Sequence, residues 1–201
     1  MPGEKGGTTP KKTQALRLNI AEAVARGVYA NSMMITHTRE EFLLDFINAF
    51  PPRATVAARV ITSPGHLKRL IKTFRENLEK FEGKFGSIPE AAAPPKTPAT
   101  PSAAGKGKTP QGLPLNISDS MARGAYSNSI MVSHTREEFI IDFLSAFPPQ
   151  ATVTARVITS PGHLKRLIRT LRKNLEKYEG KYGPILDSAA SPDLPGDGYV
   201  M

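Results

Sequence analysis

Leu16, Leu18 and Ile20 alternate with polar neighbours, a two-residue period that predicts a short opening strand, while the Ala21 to Gly27 stretch behind it fits a helical turn as well. Two further strand patterns, Tyr29 to His37 and Glu41 to Ile47, flank the polar turn Thr38, Arg39, Glu40 and read as a hairpin. Pro51 and Pro52 interrupt the pattern, and Thr55 to Thr62 forms a strand that runs into a helix. Ser63 suits the N-cap of that helix and Pro64 its first turn, where a missing N–H costs nothing. Leu67, Leu70, Ile71, Phe74, Leu78, Phe81 and Phe85 then recur at spacings of three, four and seven, a continuous apolar stripe stopped by Gly86.

The whole pattern occurs twice. Asn19 to Gly86 aligns with Asn116 to Gly183 at a constant offset of 97 residues, with 48 of the 68 pairs identical, and Ala58 to Ile71 returns unchanged as Ala155 to Ile168. One fold is therefore present in two copies. The predicted class is α+β: two tandem copies of a small antiparallel sheet of three to four strands, each followed by one long amphipathic helix, paired as a pseudo-dimer. The boundaries read as a flexible basic arm at 1–15, module 1 at 16–88, a Pro/Ala/Lys-rich linker at 89–112, module 2 at 113–186 and an acidic, disordered tail at 187–201.

The pairing follows from the faces of the sheet. The helix stripe is expected to lie on Phe42, Leu44 and Phe46 with Val56, Ala58 and Val60. The opposite face reads as Met33, Ile35, Leu43, Ile47 and Ile61 alongside His37, Asp45 and Arg59, with Asp45 and Arg59 placed diagonally as an ion pair. A sheet apolar on both faces must be covered on both, and the simplest cover for the second is the same face of the other copy, within one chain, or pairing with a second chain. At about 70 residues a lone module is also marginal in stability.

Composition narrows the use of this architecture. No apolar run reaches the roughly 18 to 20 residues of a spanning helix, the N-terminus has no hydrophobic signal region, and a cytoplasmic location is expected. The absence of cysteine excludes disulfides, thiolate metal sites and a cysteine nucleophile. The net charge of +9 makes nucleic acid a possible partner, although each core alone is only mildly basic.

Tyr29 to Asn31, Glu41 to Phe46, Arg59 to His66 and Asn77 to Glu82, each repeated 97 residues later, carry a Y-[AS]-N strand, an E-F-x-[LI]-D-F strand, an R-V-I-x-[ST]-P-x-H strand-to-helix junction and an N-[LI]-x-[KR]-[YF]-E helix end. On these motifs the chain resembles the small bacterial and archaeal family catalogued as domain of unknown function 3467, here duplicated where the usual form is single. The resemblance covers both cores and implies no activity, substrate or site. In topology alone the module is also similar to the SecB-type export chaperones, which makes a chaperone role one further expectation.

The residues with chemical potential are few. His37, Asp45, Arg59 and His66, with His134, Asp142, Arg156 and His163, could supply an acid–base pair, but a strand-end His, an Asp–Arg structural pair and a His capping a helix start account for them better. Two His and one Asp without ligand spacing predict no metal, and no phosphate loop, nucleophile elbow or carboxylate pair is present, so neither a cofactor nor an enzymatic activity is expected. The helix starts are sharper. Gly65, His66, Lys68, Arg69, Lys72 and Arg75, with Gly162, His163, Lys165, Arg166, Arg169 and Arg172, set cations against the helix dipole. A solvated charged face with i,i+4 pairs such as Glu76 to Lys80 is the simpler account, and a compensating anion, from Glu40 and Glu41, a phosphate or an acidic partner surface, is the other. The resulting expectation is a non-catalytic interaction or assembly module that binds another protein or itself. The alternative is a nucleic-acid binder that grips phosphates with its basic helix starts and arms. No small-molecule substrate or membrane partner is expected.

Overall fold

The structure is a computed structural model that describes residues 17–89 and 112–185; the predicted arm at 1–15, linker positions 90–111 and the tail at 187–201 lie outside the described residues. The chain runs β1 (Arg17–Ile20), α1 (Glu22–Ala25), β2 (Val28–Tyr29), β3 (Ser32–His37), β4 (Phe42–Phe50), β5 (Arg53–Thr62) and α2 (Pro64–Phe85). It then repeats the series as β6 (Leu115–Asn116), α3 (Asp119–Ala122), β7 (Ala125–Tyr126), β8 (Ser129–His134), β9 (Phe139–Phe147), β10 (Gln150–Thr159) and α4 (Pro161–Tyr182). Each copy is thus an antiparallel three-strand meander followed by a 22-residue helix. Local chemistry sets the corners. Thr38 Oγ1 accepts the Glu40 and Glu41 N–H groups at 3.1 Å in the first hairpin turn, and Ser63 caps α2 through the His66 N–H.

Neither sheet is made by one copy alone. β1 and β2 pair in parallel with β10, from Arg17 opposite Gln150 to Ile20 opposite Val153, and β6 and β7 pair in parallel with β5. The copies exchange their opening arms, so the predicted opening strand exists but its partner belongs to the other module. The predicted strand from Tyr29 to His37 is broken at Ala30 and Asn31, because the arm must pass from one sheet to the other there. The Ala30 N–H still binds Ile158 O of the second sheet at 2.9 Å, whereas the Asn31 side chain takes the Ala49 N–H at 2.8 Å in the first.

Two face assignments change as well. Met33, Ile35 and His37 stand directly opposite Phe46, Leu44 and Phe42, and directly opposed residues share a face, so all three lie on the inner side with the helices. Val56 leaves that side because a bulge at Ala57 shifts the register between Phe46 and Ile47 and turns the strand over. Val56 packs instead with Ile47 and Ala54 under Leu113, Leu115, Ile117 and Met121 of the exchanged arm.

The inner face takes the helix stripe as expected, Val56 apart, and only the cover of the outer face differs from the expectation. The inner faces of both copies and the stripes of both helices form a single core that contains Phe42, Leu44, Phe46, Phe74, Phe139, Ile141, Phe143 and Leu171. Phe46 and Phe143 meet across the pseudo-twofold axis with ring centroids 5.2 Å apart. Each helix leans on the other copy's sheet: Phe81 of α2 packs against Phe139 and His134, and Tyr178 of α4 against Phe42 and His37. The outer faces, predicted to meet each other, are covered by the arms. The strongly aromatic inner faces take the stripes of both helices, and the smaller Ile47/Val56 patch is covered by a short arm.

Candidate functional site

The polar residues singled out from the sequence fall into three groups, and the first holds the arms in place. Asp45 and Arg59 are directly opposed on β4 and β5, one step from the diagonal placement predicted, and the guanidinium grips the carboxylate through Nε at 2.6 Å and Nη2 at 2.8 Å. Nη1 of Arg59 then donates to Ala122 O, at the end of α3 in the other copy; Arg156 does the same with Asp142 and Ala25 O. The Arg59 and Arg156 guanidiniums are held charged beyond their ordinary range by hydrogen bonding to Asp45 and Asp142. One residue beyond each arm helix, after the Arg26 or Arg123 cap, sits a glycine at positive φ, Gly27 at 67° and Gly124 at 68°, where a side chain would be strained. A Cβ on Gly124 would lie 3.0 Å from both Arg59 Cγ and Ile61 Cδ1, so a side chain there would press on the two residues against which the arm docks.

The second group is the helix starts. His66 and His163 place Nδ1 2.6 Å from Ser63 Oγ and Ser160 Oγ, and each cap hydroxyl also accepts its His backbone N–H. Burial, then the neighbouring Arg69 or Arg166, pushes both imidazoles below the usual histidine range. A Ser–His pair at that distance has the spacing of a nucleophile and its base, but among the described residues no carboxylate is hydrogen-bonded to either ring to orient it. Gly65 and Gly162 occupy the second helical position. Behind His66 and Arg69, an open cleft of about 240 Å³ is bordered by Leu70 and by Ser127, Asn128, Ser129 and Ile130 of the other copy.

Part of the compensation at the basic helix starts comes from within the chain. α2 and α4 lie antiparallel, so the start of each reaches the end of the other: Lys165 Nζ binds Glu82 Oε1 at 2.9 Å and Ile88 O at 3.1 Å, and Lys68 Nζ donates to Ile185 O at 3.0 Å. Glu82 also accepts the Ile88 N–H, and those two bonds, the backbone one first, hold its carboxyl below the usual glutamate range. Glu40 stays by the hairpin, where it is one of the charges felt by Tyr178 beside Arg39 O. Glu82 was hidden in the sequence because the antiparallel helix crossing that brings it to Lys165 is a property of the paired fold.

The third group is on the helix surface. Lys72 and Arg75 are exposed and make loose i,i+4 pairs with Glu76 and Glu79 at 3.9 Å; Arg169 and Arg172 occupy the matching positions on α4. His37 and His134 are half-buried against Tyr178 and Phe81. On the side of the sheets that carries the arms, a second cleft of about 260 Å³ runs along the seam between β5 and β10 under α1 and α3, lined by Val24, Met121 and the stems of Arg59 and Arg156. Among the described residues, no group of three or more His, Asp or Glu side chains gathers as a metal site, and no helix is long and apolar enough to cross a membrane.

Fold and site together define a tandem α+β protein in which two copies of one module complete each other through a shared core and exchanged arms. The chain belongs to the family described as Protein of unknown function (DUF3467), whose model matches twice, over residues 2–90 and 96–187. Comparison with curated proteins gives no match.

Proposed function

We propose that the chain is a non-catalytic interaction module, a rigid pseudo-twofold platform that presents one surface to a macromolecular partner. The observation that carries this reading is the employment of the chemically able side chains in the scaffold itself. Asp45 and Arg59 dock an arm, His66 is bonded to its cap, and Lys165 ties the two helices together. Residues committed in this way need their geometry for the fold and have little freedom to turn over a substrate. A cytoplasmic location belongs to the same proposal and is checked by cell fractionation.

The test replaces the imidazoles as a set, His37→Gln, His66→Gln, His134→Gln and His163→Gln, in the full chain expressed in its native cell. Unchanged hydrodynamic size, unchanged co-purifying macromolecules and full complementation of a deletion are expected. A folded variant that retains its partners but fails to complement would replace this reading with a catalytic one.

A further inference from the structure

Charge is segregated between the two layers of the molecule. Among the described residues, the strands, turns and short helices hold eight Lys or Arg and eight Asp or Glu, and are neutral in sum. α2 carries six Lys or Arg against three Glu, and α4 seven against two, so the helix pair holds a net +8. Both helices bury their apolar stripes in the same core, which turns their remaining faces outward on one side of the sheets. Half-buried Lys165 and Lys68 are used to bind the opposite helix end, while Arg75, Lys80, Arg172, Lys173 and Lys177 stay exposed. Three exposed glutamates, Glu76, Glu79 and Glu176, temper the face without reversing it. The copies also differ here in sign: Lys173 stands where the first copy has Glu76, within helices otherwise almost alike.

We infer that the exposed face of the α2/α4 pair binds the phosphate backbone of double-stranded nucleic acid. This rests on the reading of the chain as an interaction module and supplies the class of its partner. At 1.5 Å per residue each 22-residue helix is about 33 Å long, close to one duplex turn, and cations three to four residues apart fall roughly every 5 to 6 Å. Duplex phosphates advance by roughly 3.4 Å per strand, so such a row meets about every second one.

The chemistry of the face selects among polyanions. Phe74, Phe81 and Tyr178 are buried in the core, and Phe85 and Tyr182 at the helix ends are half-buried with Lys84 and Lys181 over their rings. No ring is therefore fully exposed along the face to stack on an unpaired base, which disfavours single strands. With the apolar stripes occupied, this face keeps no fully exposed large apolar side chain to enter a bilayer; the exposed ones, Leu18, Ile20, Phe50, Tyr126 and Phe147, belong to the strands. A protein partner would need a desolvated apolar or aromatic anchor near the centre of its interface, and this face offers Lys, Arg, Glu, Thr and Asn instead. Backbone contact of this kind reads no base sequence.

The experiment measures binding of the full chain to a 25-base-pair duplex by fluorescence anisotropy at 50 and 200 mM salt. Five phosphate contacts predict about a 500-fold loss of affinity between the two, from a slope of roughly −0.9 per contact. Arg172→Glu, Lys173→Glu and Lys177→Glu together should cut affinity at 50 mM more than tenfold and flatten the slope. A milder set, Arg172→Gln, Lys173→Gln and Lys177→Gln, keeps the test valid should charge reversal disturb folding. Arg26→Glu, Arg53→Glu and Arg123→Glu on the sheet layer should leave binding within about twofold. No binding at 50 mM salt, equal loss in the sheet-layer set, or binding only to anionic vesicles would each overturn the inference. Loss confined to replacing Lys5, Lys11, Lys12, Lys106 and Lys108 would overturn it too, in favour of the segments outside the two cores. If the duplex fails to bind while the helix-face set still loses a co-purifying protein, the interaction-module reading stands and only the nucleic-acid assignment falls.

Discussion

Phe46 and Phe143 offer the sharpest probe of the shared core, because each belongs to a different copy and their rings meet at 5.2 Å with an interplanar angle of 50°. Both are almost fully buried, at 1% and 0% exposure. Phe→Leu removes three carbons from a side chain, and at roughly 0.8 kcal/mol per buried carbon each single change should cost about 2 kcal/mol. For a core of about 150 residues that corresponds to a fall in Tm of roughly 4 to 8 °C. The double variant should cost less than the two singles added together, by the roughly 0.5 to 1.5 kcal/mol that an aromatic pair supplies beyond its buried area. Urea unfolding of the four proteins, followed by circular dichroism, measures the difference directly. A single cooperative transition with that coupling is expected. Strict additivity to within about 0.3 kcal/mol, or two transitions each moved by only one substitution, would show that the copies fold as separate units.

Two further outcomes follow from the arms and the helix starts. Gly124→Ala should destabilise by at least about 1 to 2 kcal/mol, since Ala at φ 68° is strained and its Cβ would press on Arg59 and Ile61, and it should accelerate amide exchange in β6 and β7. Gly83→Ala, in the last turn of α2 with nothing within 4 Å of the added Cβ, should instead stabilise by up to about 0.5 to 1 kcal/mol; both are read by thermal melts. His66 and His163 titrate below the free imidazole because burial disfavours their charged forms. The unfolded chain therefore takes up these protons first, so stability is greatest above the unfolded value of about 6.5 and declines as pH falls through the lowered folded values. His66→Gln with His163→Gln should flatten Tm between pH 7 and 5, and an unchanged slope would refute that assignment.

Much of a single module was legible in the chain, for reasons that are local. Ser63, Pro64 and Gly86 are chemical punctuation, and the stripe from Leu67 to Phe85 has one period, so α2 follows from sequence nearly to the residue. The β3–β4 and β4–β5 turns were equally visible in Thr38 to Glu40 and in Pro51 and Pro52. What failed was handedness of face. A bulge at Ala57 leaves no residue signature, and the facing of Met33, Ile35 and His37 depends on the register set by the hairpin turn. Arm exchange was hidden for a deeper reason: with two nearly identical copies, β1 suits β10 and β5 alike, and only the path of the chain decides. The Asp45–Arg59 pair was recognisable, but its third bond to Ala122 O, which gives the pair its purpose, required the other copy to be in place.

The most direct test of the account is a protease site inserted at Ala103 between the modules. After complete cleavage, light scattering in native buffer should report one particle that contains both halves and keeps the intact chain's mass of 21.8 kDa, separating only in denaturant. Two folded particles of about half that mass in native buffer would contradict the claim that each copy is finished by the other.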